Sequence, residues 1–146
     1  YESLRPALDL AAATGRGVFV LGLTSNPEGA SVQHVGADRS VAARIIDAAT
    51  AENAAARPLG STGLVIGATV GSALADLGID LAAANAPILA PGLGAQGAPG
   101  EDLRKTFGAA YANVLATSSR DILKAGPDRA ALREAAVRTL DGLPQP

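Results

Sequence analysis

The chain contains no cysteine and no methionine. The first absence excludes disulfides and thiolate chemistry and leaves the redox compartment undetermined. The second includes position 1, held by Tyr1, and leads to the expectation of a processed product or a fragment. The opening residues point the same way. Tyr1–Ala13 reads as the body of a helix, with Leu4, Leu8 and Ala11 on one face, Gly15 as its stop and no strand before it. No run of about 18 apolar residues occurs, so no transmembrane helix is expected. No charged-then-apolar leader stands at Tyr1, so no secretory signal is visible. The net charge of −2 gives no reason to expect nucleic acid or an acidic membrane as partner. The lone histidine, His34, sits in a polar loop without metal-ligand companions and reads as non-catalytic; no metal site is expected. Without a histidine partner, Ser118 and Ser119 do not suggest a hydrolase triad.

What is present is a globular composition. Of 146 residues, 48% are hydrophobic and 18% charged, enough for one domain with a real core. The hydrophobic pattern alternates strand and helix. Gly17–Leu23 is a continuous apolar run, which suits a parallel strand buried on both faces. A loop over Glu28–Gly36 is expected next, then a helix over Arg39–Ala56. Asp38 is its candidate N-cap, and Val41, Ile45 and Ile46 share a face with several alanines. Gly63–Ala68 reads as the second strand, Ser72–Leu77 as a short helix closed by Gly78, and Ile88–Ala90 as the third strand. A helix over about Gly100–Tyr111 and a fourth strand at Asn113–Ala116 follow. The last elements are Ser119–Ala125 and an amphipathic helix over Asp128–Asp141. There Leu132, Ala136 and Leu140 repeat at i, i+4, i+8, while Arg133, Glu134 and Arg138 face solvent. The final residues read as a tail.

Four such units make half of an eight-fold α/β barrel. Alone, that half leaves two parallel edges uncovered. An open doubly wound sheet is the competing architecture. No Gly-x-Gly-x-x-Gly follows the first strand, which weakens a nucleotide-binding version of it.

Two segments end an apolar run at residues suited to holding an anion. In residues 88–97, Pro91, Gly92 and Gly94 allow a tight turn that exposes backbone N–H groups, with Gln96 in reach as a polar arm. In residues 112–122, Ser118, Ser119 and Arg120 precede a helical stretch, where backbone donors and the helix dipole favour negative charge. Arg120 adds a fork able to grip a phosphate with two hydrogen bonds. A cation at a helix start opposes the dipole, so Arg120 is a poor choice on structural grounds alone. Consecutive turns of this kind match the phosphate site that many (β/α)8 barrels build after strands 7 and 8.

Four motifs occur in order: Thr24-Ser25-Asn26-Pro27-Glu28-Gly29, Val65-Ile66-Gly67-Ala68-Thr69, Ala90-Pro91-Gly92-Leu93-Gly94-Ala95-Gln96-Gly97 and Ser118-Ser119-Arg120-Asp121-Ile122. Together they resemble the C-terminal half of orotidine 5′-phosphate decarboxylase, in its longer bacterial type 2 form with an actinobacterial-like composition. The resemblance implies a (β/α)8 TIM barrel of which this chain supplies about the last four βα units. Residues 1–146 then form the C-terminal half of one barrel domain, with 1–16 as a preceding helix and 142–146 as a tail. It implies a cytoplasmic, cofactor-free lyase of pyrimidine biosynthesis. Such an enzyme converts orotidine 5′-monophosphate to uridine 5′-monophosphate and CO2, as a homodimer with active sites near the subunit interface.

By the same resemblance, Thr24, Ser25, Pro91, Gly92, Gly94, Gln96, Ser119 and Arg120 hold the substrate. Arg120 takes the phosphate, Gln96 reaches the phosphate or the pyrimidine, and either Thr24 or Ser25 contacts the ring. Thr69 reads as structural. The family's Lys/Asp catalytic network lies in the N-terminal half, and nothing here matches it. Lys105 and Lys124, the only lysines, sit in helical surroundings. No catalytic residue is therefore expected in this chain. A non-catalytic phosphate-binding module, or another phosphate-sugar barrel enzyme, is the alternative.

Overall fold

The computed structural model describes residues 1–93 and 100–144, with the side chains of residues 100 and 101 left aside. Four strands form one sheet in the order β1-β2-β3-β4, every neighbouring pair parallel. They are β1 (Val18–Leu23), β2 (Thr62–Ile66), β3 (Ile88–Pro91) and β4 (Val114–Thr117). Each lies within one or two residues of its expected position. The helices are α1 (Arg5–Ala13), α2 (Ala30–Gln33), α3 (Val41–Asn53), α4 (Ala73–Asp76), α5 (Gly100–Phe107), α6 (Arg120–Leu123) and α7 (Arg129–Asp141). Short 3-10 turns at Glu2–Leu4, Pro27–Gly29 and Gly108–Asn113 complete the described elements. Gly15 and Gly78, at φ +66° and +61°, end α1 and α4 as expected.

Several expectations need correction. The stretch read as loop over 28–36 contains a 3-10 turn and the helical turn α2. Ser40, not Asp38, caps α3: its hydroxyl accepts from the Ala43 N–H at 3.2 Å. An N-cap must directly precede the first helical residue, and Asp38 stands too far upstream. Arg39 is left outside the helix, and its guanidinium binds Asp47 and the Gly78 carbonyl. The fully buried stripe of α3 is Ala42, Ala43, Ile46, Ala49 and Asn53; Val41 and Ile45 are half-buried. On α7, Ala135 is buried while Ala136 is exposed and Leu140 is 65% exposed. Its inward stripe runs Leu132, Ala135, Thr139, because the helix packs on α6 rather than squarely on the sheet.

The core lies on one side of the sheet only. Leu23, Leu64, Ile66 and Ile88 meet Ile46 and Leu103 there, all fully or nearly fully buried. The other face carries a registered row, Leu21–Val65–Leu89–Leu115. Leu21 and Leu115, at the two edges, are 54% and 51% exposed, and Phe19 lies beside them at 43%. In a closed barrel this face points inward, into the layered side-chain core that eight strands fill together.

All four strands run the same way, so their following loops gather at one end. Backbone bonds level that end: Gly67 N–H donates to Leu23 O at 2.9 Å, and Ala68 N–H to Pro91 O at 2.8 Å. No described helix is long and apolar enough to cross a membrane.

Candidate functional site

At this end the loops after β1, β2, β3 and β4 enclose a cleft of about 310 Å³. That falls at the lower end of the usual range for small-molecule sites, about 300–1,000 Å³. Its floor is apolar: Leu21, Val65 and Leu93. Its rim is polar: Thr24, Ser25 and Asn26 on one side, Thr117, Ser118, Ser119 and Arg120 on the other.

Each wall follows from local chain chemistry. On the third strand, Pro91 ends the ladder and Gly92 turns the chain at φ +109°, a conformation that needs glycine. Between the first and second strands, a Cβ at Gly67 would stand 3.2 Å from Ser25 N and 3.3 Å from Ser25 Oγ. Glycine there lets the Ser25 loop settle against the end of β2. After β4, Ser118 and Ser119 carry the chain from strand to the single turn α6, on which Arg120 is the first residue.

Among the described residues, Arg120 is the only charged one lining the cleft. Its guanidinium has no ion-pair or hydrogen-bond partner among the described residues. Ser118 Oγ is buried and has no hydrogen-bond partner among the described residues. Buried hydroxyls are almost always paired, so one left open beside a cationic side chain marks a place for an acceptor. The Ser25 hydroxyl is exposed on the opposite rim and is likewise unbonded among the described residues. A cation and two open hydroxyl donors around an apolar floor suit an anionic ligand with an apolar or aromatic body.

One expected contribution is missing. α6 has four residues, and Ser119 precedes it at φ −122°, ψ −73° without a side-chain cap bond. So short a turn has little macrodipole, since the effect sums over aligned peptides. The anion preference at this corner therefore rests on Arg120 and the serines, not on a helix end. His34 follows α2, exposed and outside the cleft lining. Lys105 lies within α5, and Lys124 follows α6.

Residues 1–135 match the family model described as orotidine 5′-phosphate decarboxylase / HUMPS family. The chain belongs to this family. An orotidine 5′-phosphate decarboxylase of Salinispora arenicola is 58% identical over 140 residues, which are 94% of this chain and 49% of that protein. One from Streptomyces coelicolor is 55% identical over 141 residues, with the same coverage. A crystal structure from Streptomyces avermitilis, assigned as an orotidine 5′-phosphate decarboxylase, superposes with a TM-score of 0.89 at 52% identity, covering 98% of this chain and 50% of that one. The Leishmania donovani decarboxylase structure superposes at 0.63 with 27% identity over 95% of this chain. The chain thus spans about half the length of the curated relatives it matches. The fold is α/β, and the four-stranded parallel sheet corresponds to half of the decarboxylase TIM barrel.

Of the residues singled out from sequence, Thr24, Ser25, Pro91, Gly92, Ser119 and Arg120 all line the one cleft. Gly94 and Gln96 lie outside the described residues. Gln33 escaped the sequence reading. It contacts Thr24 across nine positions, and only the helical turns over 27–33 bring it back. No local spacing rule reports such a return.

Proposed function

We propose that this chain is the C-terminal half of the barrel domain of an orotidine 5′-monophosphate decarboxylase and supplies the substrate grip. The observation that carries this is Arg120: one unneutralised guanidinium beside the open Ser118 hydroxyl, at the C-terminal ends of parallel strands. In this reading Arg120 and Ser119 hold the 5′-phosphate. Pro91, Gly92 and Gly94 belong to the same phosphate-binding set, and Gln96 serves the phosphate or the pyrimidine. A hydroxyl of the Thr24–Ser25 pair meets the pyrimidine.

The reaction breaks the C6–carboxylate bond, releases CO2 and protonates the carbanion left at C6. No lysine of this chain follows a strand, so the proton donor comes from the N-terminal half. Holding a phosphate remote from C6 lets binding energy lower the barrier for a step in which charge develops at carbon. The complete enzyme acts on a small molecule, without a cofactor, as a cytoplasmic homodimer.

The test is reconstitution. The 146-residue chain alone should not turn over orotidine 5′-monophosphate. Co-expressed with the N-terminal half of the Streptomyces coelicolor relative, it should assemble a barrel that releases CO2. An assembled barrel that binds phosphate but releases none would point instead to a non-catalytic phosphate-binding module.

A further inference from the structure

The loop after β1 places two adjacent hydroxyls at the cleft, Thr24 and Ser25. Counting protons separates them. The Glu28 carboxylate only accepts, so it takes the Asn26 Nδ2 donor, at 3.2 Å. Its ionised form is secured because its own backbone N–H, and then the Asn26 amide, hold its pKa below the usual carboxylate range. This fixes the Asn26 amide with Oδ1 toward Thr24 Oγ1, 2.6 Å away. Thr24 has a single hydroxyl proton, and Asn26 takes it. Thr24 Oγ1 in turn accepts from Gln33 Nε2 at 2.9 Å. Gln33 Oε1 then faces the Thr24 backbone N–H and accepts from it, also at 2.9 Å. The room for this knot is Gly29, where a Cβ would lie 2.8 Å from Thr24 Oγ1.

We propose that Gln33 is a positioning residue: its side-chain amide clamps Thr24 at backbone and hydroxyl oxygen, so that of the Thr24–Ser25 pair only Ser25 offers a hydroxyl donor to the ligand. The proposal rests on the reading of the cleft as the substrate site and identifies which hydroxyl serves it. Thr24 is the lock, its donor committed to Asn26. Ser25 follows it directly in the chain, so fixing the Thr24 peptide fixes where the Ser25 side chain starts. Gln33 does not itself line the cleft and acts through Thr24.

The experiment is a double-mutant cycle in the reconstituted barrel, read as kcat/KM for orotidine 5′-monophosphate. Gln33→Ala and Ser25→Ala should each lower kcat/KM about tenfold, the scale of one hydrogen bond. In the Ser25→Ala background, Gln33→Ala should change it less than about twofold, because its effect passes through Ser25. Hydrogen exchange gives a readout besides activity. The Thr24 amide should exchange faster in Gln33→Ala and regain most of its protection in Gln33→Glu, which keeps the acceptor. Full additivity of the two substitutions, or an unchanged Thr24 exchange rate in Gln33→Ala, overturns the proposal. Loss on Arg120→Ala without loss on Ser25→Ala overturns it while leaving the substrate site standing. Full activity in both Arg120→Ala and Ser25→Ala removes the substrate site itself, and the proposal with it.

Discussion

The two ends of the sheet are built on opposite principles. At the end where the strands begin, Asn53 and Asn85 are engaged. Asn53 is 1% exposed, yet its Nδ2 donates to Thr62 O at 2.8 Å and to Ala84 O at 3.2 Å, while its Oδ1 accepts from Thr62 N–H. Asn85, at φ +47°, donates to Asn53 O and Ala56 O. One side chain from α3 thereby fastens the start of β2 and the approach to β3. At the end where the strands finish, Ser25, Ser118 and Arg120 have no partners among the described residues. The contrast shows what each end is for. Satisfied buried groups hold a fold together, and in the proposed reading the unpaired ones at the cleft await a ligand.

The comparison is most severely broken at its stable end. Asn53→Leu strands several buried backbone groups, each worth about 1–3 kcal/mol. Unfolding free energy should fall by about 3 kcal/mol, lowering the melting midpoint by roughly 6–12 °C. Ligand affinity below the transition should not change. A midpoint that stays within a degree, read by calorimetry, would show that the beginning of the sheet is not fastened there.

Arg120→Ala is the counterpart at the open end. It removes a charge-assisted, bidentate contact worth about 1.5–3 kcal/mol, so kcat/KM of the reconstituted enzyme should drop on the order of tenfold to a few hundredfold. The loss should nearly vanish for the phosphate-free nucleoside, and stability should hold because the side chain is exposed and unpaired among the described residues. Equal damage to both substrates would make Arg120 structural.

Ser118→Ala sharpens the contrast. Deleting a hydroxyl that has no partner among the described residues should leave the melting midpoint unchanged or slightly raised, while weakening uridine 5′-monophosphate binding by about twofold to tenfold. A clear fall in stability with intact affinity, measured by calorimetry and titration, would place that hydroxyl in the fold rather than the site.

The smallest effect is on pH. Hydrogen bonds from Arg39 hold Asp47 below its ordinary 3.8, and those from Arg5 hold Glu52 below its ordinary 4.5. Carboxylates depressed in the folded state stabilise it above their unfolded values, and that support is lost as pH falls through the folded ones. Both pairs are partly exposed, so salt and solvent screen them. Melting midpoints should decline gently below about pH 4.5, and Asp47→Asn with Glu52→Gln should flatten that decline. An unaltered slope in the double variant would show that other carboxylates set the acid limit.

Much of this was legible along the chain. Continuous apolar runs located all four strands, because apolar side chains stand on both faces of each and no polar alternation blurs the run. Turn residues bracketed the helices. The motifs at the strand ends named six residues that now line one cleft, since in a parallel sheet every strand end arrives at the same side. Less legible were features set by distant partners. The cap of α3 fell to Ser40 once Arg39 was drawn away to Asp47 and Gly78. The inward stripe of α7 turned to Ala135 because its neighbour is α6. No local pattern singles out Asn53, because its burial depends on strands that begin well downstream.

The order of strands and helices, the family and the residues that meet at the cleft were determined by the sequence alone, because periodicity, turn chemistry and short motifs are local properties. Only the tertiary structure decided which hydroxyls are open. Thr24 and Ser25 are adjacent and chemically alike, and nothing local distinguishes them. The distinction arises when Asn26 takes the Thr24 hydroxyl proton and Gln33, nine residues on, folds back to accept from the Thr24 amide and donate to its hydroxyl oxygen, a choice of hydrogen-bond partner that exists only once the chain is in three dimensions.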